Sequence, residues 1–364
     1  MVQVIRSATG VTPQYLTLLL HGKGYLADGS VSAVQVSATA AFNSVVARLE
    51  LTYETGVVGP PALILKLNAD AVGREEVAFY SLATEPGQGN DDSPLVPCLE
   101  SVFDAETGAS HLLLLDVSET HEVTVAREAL LGLNGVLPET RLFGVIDALA
   151  RFHAAWWNHP LLDKDPATQL TTHYDSEEAF TRYWRKHRDD YESFRQAHGE
   201  EVAADWLELF EQILGRHSHL WKRYLEPRVK NLSNLTLTHN DCYLTQFLSP
   251  KTGDGPTYLV DFQDVGTDFG ARDLVYLLAT FWTREQRQRY EYKLLERYHS
   301  VLSSSGVVGY SLELLFADYR LALIDMVFLP VWDTTYGADR SYWTPKLECL
   351  LSAYQDWDCA TLLH

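Results

Sequence analysis

Residues 236–279, TLTHNDCYLTQFLSPKTGDGPTYLVDFQDVGTDFGARDLVYLLA, hold the side chains of this 364-residue chain best suited to chemistry. His239, Asp241 and Gln246 lie on one irregular segment beside a short strand, and Asp261 ends the next strand, twenty residues after Asp241. Two carboxylates and an amide oxygen would then converge from a hairpin. Such oxygens suit magnesium, which takes near-octahedral oxygen coordination, and one further carboxylate would orient or deprotonate an attacking hydroxyl. Taken alone, N-D-C-Y also reads as a plain polar turn before a strand.

The elements that must position these residues follow from periodicity. From Val31 to about Leu67 apolar residues alternate through SAVQVSA, VVARLELTY and ALILKLN, separated by stretches such as ETGVVGPP. A period of two predicts consecutive antiparallel strands. Lys66 falls on the third, flanked by apolar residues on both faces, which places its amine in a buried or cleft-lining position or on an exposed strand edge. REEVAFYSLA, with Val77, Tyr80 and Leu82, suits an amphipathic helix; LVPCLESVFDAE and SHLLLLDVS read as two more strands. ETRLFGVIDALARFHAAWW, SEEAFTRYWRKHRDDYESF and AADWLELFEQILGRHSHLWKRYL are long amphipathic helix candidates, interrupted afterwards only by the strand-like TQFLSP and TYLVDF. The expected fold class is α+β and bilobal: a sheet lobe with one main helix over 1–115, a hinge over 116–120 and a helical lobe over 121–364. A cleft at such a junction is a common place for a small-molecule site.

Composition narrows the partners. With 46% hydrophobic and 12% aromatic residues the chain can bury a sizeable core. A net charge of -20, from 29 Lys+Arg against 49 Asp+Glu, disfavours nucleic acid and membrane surfaces, and favours a neutral or cationic small molecule. Cys98, Cys242, Cys349 and Cys359 form no CxxC pair or zinc spacing and read as free thiols of a reducing compartment. No stretch approaches the roughly 18 unbroken apolar residues of a membrane span, so the expected location is the cytoplasm. G-x-S-x-G and H-E-x-x-H are both absent, which argues against serine hydrolases and zincins.

The 236–279 segment resembles the catalytic core of the aminoglycoside phosphotransferase and choline kinase superfamily, H-G-D-x-x-x-x-N followed by a strand ending in D-[FW]. VDFQDVG and RDLVYLLA are most similar to its ecdysteroid-kinase-like branch and bacterial relatives. The resemblance implies a protein-kinase-like fold and transfer of the γ-phosphoryl group of ATP or GTP, with Mg2+, to a hydroxyl of an aminoglycoside-like, amino-alcohol, sugar or steroid-like acceptor. It implies Asp241 as catalytic base, Gln246 and Asp261 as magnesium ligands, His239 as a support of the loop backbone and Asp273 as an acceptor for loop amides. Lys66 would bind nucleotide phosphates and pair with Glu76, with Glu75 the competing choice. Asn43 and Ser44, in the glycine-free stretch SATAAFNSVVARLEL, would hydrogen-bond phosphate, and backbone groups from Leu115 to Val117 would meet the adenine edge.

Two positions depart from the pattern: Asn240 replaces the usual Gly and Gln246 the usual Asn, although maltokinase-like members of the superfamily also carry Gln there. These departures keep two alternatives open, a nucleotide-binding pseudokinase and a nucleotidyl transferase on the same fold. His153, Trp156 and Trp157 in LARFHAAWW read as core packing. For the acceptor the helical lobe offers Asp264, Asp268, Trp282, Asp325, Trp332, Asp333, Tyr336 and Trp343, acids and indoles that suit a cationic compound. Assembly is open between monomer and homodimer.

Overall fold

The computed structural model describes residues 3–40, 44–69, 71–83, 93–135, 137–164, 168, 176–253 and 255–364. The chain divides into two compact units, Met1–Glu122 with Pro250–Val265, and Val123–Ser249 with Gly266–His364. The hairpin segment Pro250–Val265, expected in the helical lobe, therefore packs with the first unit.

The first unit opens on a helix that the strand periodicity did not foretell, α1 (Pro13–Gly22). Thr12 caps it by accepting the Tyr15 N–H, Pro13 supplies a preset φ at its first turn, and Leu16 and Leu20 are buried. β1 (Val31–Ala40), β2 (Val45–Tyr53) and β3 (Ala62–Asn68) follow, then α2 (Arg74–Ala83), β4 (Cys98–Phe103) and β5 (Ser110–Leu115). The five strands pair antiparallel in the order β1-β2-β3-β5-β4, which puts β3 at the centre. Leu63 and Leu65 of β3 join Leu49 of β2 and Leu113 of β5 with Leu16 and Leu20 in one apolar cluster. Each fully buried leucine contributes roughly 1.5–3 kcal/mol. Lys66 alternates with these leucines and points to the opposite face, opposite Val46 and Leu112 in register.

The chain passes to the second unit through β6 (His121–Val123). There follow α3 (Arg127–Leu131), α4 (Glu139–Trp156), α5 (Glu177–His198), α6 (Ala204–Leu214), α7 (His217–Leu220) and α8 (Glu226–Asn231). The stretch expected as one helix over 203–225 is instead broken: Gly215 closes α6, and a π-turn over Trp221–Leu225 leads into α8 with Pro227 in its first turn. Glycine's backbone entropy and proline's missing N–H both weaken a continuous helix. β7 (Thr236–Thr238), β8 (Phe247–Pro250), β9 (Tyr258–Leu259) and β10 (Gly266–Asp268) precede α9 (Ala271–Ala279), α10 (Arg284–Ser304), α11 (Leu312–Met326), α12 (Leu329–Thr335) and α13 (Arg340–Asp356). β7 and β10 pair antiparallel, Thr238 opposite Gly266, and α9 starts three residues after β10. Every residue of α9 is buried, including Arg272 and Asp273, so it is a core helix whose charged side chains must find partners inside the unit.

Among the described residues no helix is long and apolar enough to cross a membrane.

Candidate active site

In the first unit Lys66 lies on the central strand and is only 12% exposed; its Nζ is 2.8 Å from Glu76 Oε2 and 2.6 Å from Asp261 Oδ1. A 3-10 turn, Ala71–Gly73, leads directly into α2. A Cβ on Gly73 would stand 2.2 Å from Ser110 Oγ and 2.3 Å from Asn68 Nδ2, so any larger residue would have to displace both side chains for the turn to close over the sheet. That closure buries Glu76, while Glu75 stays partly exposed.

Asp261 is aimed by the residue after it. The Phe262 N–H donates to Glu76 Oε1 at 3.2 Å, and the Phe262 ring stacks on Phe79 with centroids 4.2 Å apart. Asp261 itself has φ of +70°, a left-handed conformation that aspartate tolerates better than most residues. Its carboxylate is 39% exposed, far more open than Glu76 at 2%. Burial works against the Lys66 charge, but Glu76 and Asp261 outweigh it and hold the ammonium above its usual range. Burial pushes the Glu76 carboxyl up despite Lys66 beside it.

Of the other expected nucleotide contacts, Ser44 is partly buried at the start of β2, and Asn43 lies outside the described residues. The Leu115 N–H donates to the Pro97 carbonyl at 3.0 Å, and the Val117 carbonyl accepts the N–H groups of Thr120 and His121, forming the turn after β5. Asp264 is exposed.

In the second unit the segment from His239 to Gln246 follows β7 directly. Asn240 has φ of +62°. A glycine is free to adopt that conformation, and asparagine is among the few other residues that enter it readily, so the Asn240 departure is conformationally conservative. Asp273 on α9 accepts the His239 N–H at 2.7 Å and the Asn240 N–H at 2.9 Å. The Asp241 N–H donates to His239 Nδ1 at 3.3 Å, and the Gln246 amide donates to Asp241 Oδ2 at 2.9 Å. Burial alone would raise the Asp273 carboxyl, but His153 and the loop amides hold it below the usual carboxylate range.

His153, expected as packing, is part of this arrangement. It is fully buried, with Nε2 3.1 Å from Asp273 Oδ2 and Nδ1 2.7 Å from the Tyr298 hydroxyl. A Cβ on Gly270 would stand 2.7 Å from that hydroxyl and 2.9 Å from His153 Nδ1. The only sequence signal for His153 is a polar residue on the buried face of α4.

The acceptor candidates occupy varied environments. Asp268 is buried, accepts the Phe269 N–H, and is pushed by burial up to about 7 despite Arg272 nearby. Asp325 is ion-paired with Arg272 and accepts the Tyr183 hydroxyl at 2.9 Å; the Arg272 guanidinium lies 6.0 Å from the centre of the partly buried Trp332 ring. Asp333 pairs with Lys346 at 2.6 Å. Trp282 and Trp343 are core residues, and Tyr336 is 89% exposed. Two of the acids expected to attract a cationic acceptor, Asp325 and Asp333, thus have their charges met within the unit. Arg272 and Lys346 carried no sequence signal of their own, one following a glycine loop and the other a proline inside α13.

The fold is that of the small-molecule phosphotransferases. A Ralstonia eutropha protein assigned to the aminoglycoside phosphotransferases aligns with a TM-score of 0.55 at 12% identity, covering 95% of this chain and 98% of that one. Plasmodium vivax ethanolamine kinase aligns with a TM-score of 0.52 at 11% identity, covering 94% and 89%. The chain belongs to the ecdysteroid kinase-like family, which it matches over residues 78–306, more than half its length. No curated protein matches it.

Proposed function

We propose that this protein is a small-molecule kinase that transfers the γ-phosphoryl group of a magnesium-bound nucleotide, ATP or GTP, to a hydroxyl of its acceptor. The observation that carries the reading is the Lys66 ammonium held between buried Glu76 and half-open Asp261. Such a cation, fixed by a carboxylate it cannot leave, suits nucleotide phosphates. The ethanolamine kinase and aminoglycoside phosphotransferase likeness supports the same class, with an amino alcohol, aminoglycoside, sugar or steroid-like alcohol as acceptor.

Asp261 and Gln246 are the magnesium ligands of this reading by their chemistry alone: the first offers a half-open carboxylate, the second an amide oxygen whose NH2 is turned to Asp241. Magnesium held by such oxygens would supply charge neutralisation on the phosphates. In this reading Lys66 holds the phosphates, backbone groups of Leu115 to Val117 meet the base, and Ser44 and Asn43 contribute hydrogen bonds. Asp241 takes the acceptor's hydroxyl proton as the bond to phosphorus forms, and Gln246 keeps its carboxylate oriented. Asp273 and His239 hold the loop and do not touch the substrate.

The test is direct. Asp241→Asn should abolish acceptor phosphorylation while nucleotide binding, followed by thermal shift, persists; Asp261→Asn should weaken magnesium-dependent binding. Retained turnover in Asp241→Asn would reject the base assignment. A panel of aminoglycosides, amino alcohols, sugars and sterols screened for ATP consumption would identify the acceptor, and an added mass of one phosphate on the product would exclude nucleotidyl transfer.

A further inference from the structure

Lys346 on α13 is fully buried, yet it carries a charge that packing alone does not require. Its ammonium has three donors, and each has an acceptor: Asp333 Oδ2 at 2.6 Å, the Tyr243 hydroxyl at 3.0 Å and the Tyr342 hydroxyl at 3.2 Å. The rings of Tyr342, Tyr243 and Phe281 lie 4.3, 5.2 and 5.3 Å from Nζ, so the cation is enclosed by aromatic faces as well. Desolvating such a pair costs several kcal/mol per ion, and well-packed apolar residues often serve stability equally. What the cation holds therefore matters.

It holds Tyr243. That residue follows Asp241 by two positions, its N–H donates to the Asp241 carbonyl at 2.9 Å, and its own carbonyl accepts the Gln246 N–H at 2.9 Å. Tyr243 is thus the middle of the turn that sets Asp241 and Gln246 apart, and their side chains meet at 2.9 Å across it. Its ring is packed edge-on against Tyr276, which leaves the hydroxyl as the point where the turn is fixed to α13.

We propose that Lys346, acting through the Tyr243 hydroxyl, is a positioning residue that fixes the Asp241 carboxylate relative to the Gln246 amide. The inference rests on the kinase reading above. With its three donors engaged, the ammonium acts on the reaction only by holding the turn. Misplacement of a reacting group by about 1 Å is enough for large rate losses, so the effect belongs in kcat rather than in nucleotide affinity.

The experiment uses the full chain and its magnesium-dependent hydrolysis of ATP, with kcat and KM for ATP measured separately. Tyr243→Phe keeps the ring and removes the hydroxyl; its kcat should fall about tenfold with KM for ATP within twofold of wild type. Lys346→Met combined with Asp333→Leu removes cation and counter-ion together, so no charge is orphaned. It should keep the wild-type melting temperature within a few degrees while kcat falls at least as far as in Tyr243→Phe. Wild-type kcat in both variants overturns the positioning role, as does a kcat loss seen only where the melting temperature falls with it. A wild-type protein that neither binds nor hydrolyses magnesium-ATP rejects the kinase reading first, and this inference with it.

Discussion

The Asp273 carboxylate accepts the backbone N–H of Asn240 at 2.9 Å, and Asn240 has the left-handed φ of +62° that turns that N–H toward α9. The conformation and the hydrogen bond specify each other. Asn240→Gly should therefore change stability by no more than about 1 kcal/mol, whereas Asn240→Val, β-branched at a positive φ, should lose about 2 kcal/mol. Urea unfolding of the two variants would separate them.

Asp273 is held below the usual carboxylate range, by His153 and the loop amides against the pull of burial. A depressed folded pKa contributes stability above the ordinary value, and that stability disappears as pH falls through the folded one. Asp273→Asn should cost about 3 kcal/mol at neutral pH, since charged hydrogen bonds to two amides are lost. The deficit should shrink below about pH 4, as the wild type gives up the same stability on protonation. A constant deficit down to the acid transition would count against this account.

Asp268 works in the opposite sense, because burial raises it to about 7 with Arg272 lowering it and Asp325 and Asp273 raising it further. Its stabilising contribution is complete below the unfolded value near 4 and is lost as pH rises to about 7. The stability of wild type relative to Asp268→Asn should fall by up to about 1.4 kcal/mol per pH unit across that window and stay level above it. Thermal or chemical unfolding at matched pH values would read the slope.

Lys66→Met leaves Glu76 buried beside Asp261 without its cation and should destabilise the protein by about 3 kcal/mol. Adding Glu76→Gln should restore most of the stability but none of the nucleotide-dependent thermal shift. Recovery of the shift in the double variant would show that the ammonium does not meet the phosphates.

Much of this was legible from residue types. The strands around Lys66 announced themselves by a period of two, and HNDCYLTQ with VDF marked the segments that Asp273 and Glu76 organise. The helix over Pro13–Gly22 was missed because YLTLLL is too short to display a face, and its Thr12 cap is an ordinary residue until seen in place. The break at Gly215 was missed because an apolar period that resumes after one glycine reads as continuous. The polar roles of His153, which reads only as core packing, and of Lys346 are not legible in the sequence. Their meaning lies in partners 120 and 103 positions away, Asp273 and Tyr243, and no local period encodes such a distance.

The hairpin segment Pro250–Val265 reaches the first unit only after the whole stretch Val123–Ser249 has been synthesised. Until Asp261 and Phe262 emerge from the ribosome, Lys66 lacks one counter-ion, and Phe79 and Glu76 lack the ring and the amide that cover them. A nascent amino-terminal unit would thus expose a sticky aromatic face beside an imperfectly neutralised cation. Expression of residues 1–122 alone should yield aggregation-prone material, and supplying 250–265 as a separate peptide should improve its solubility.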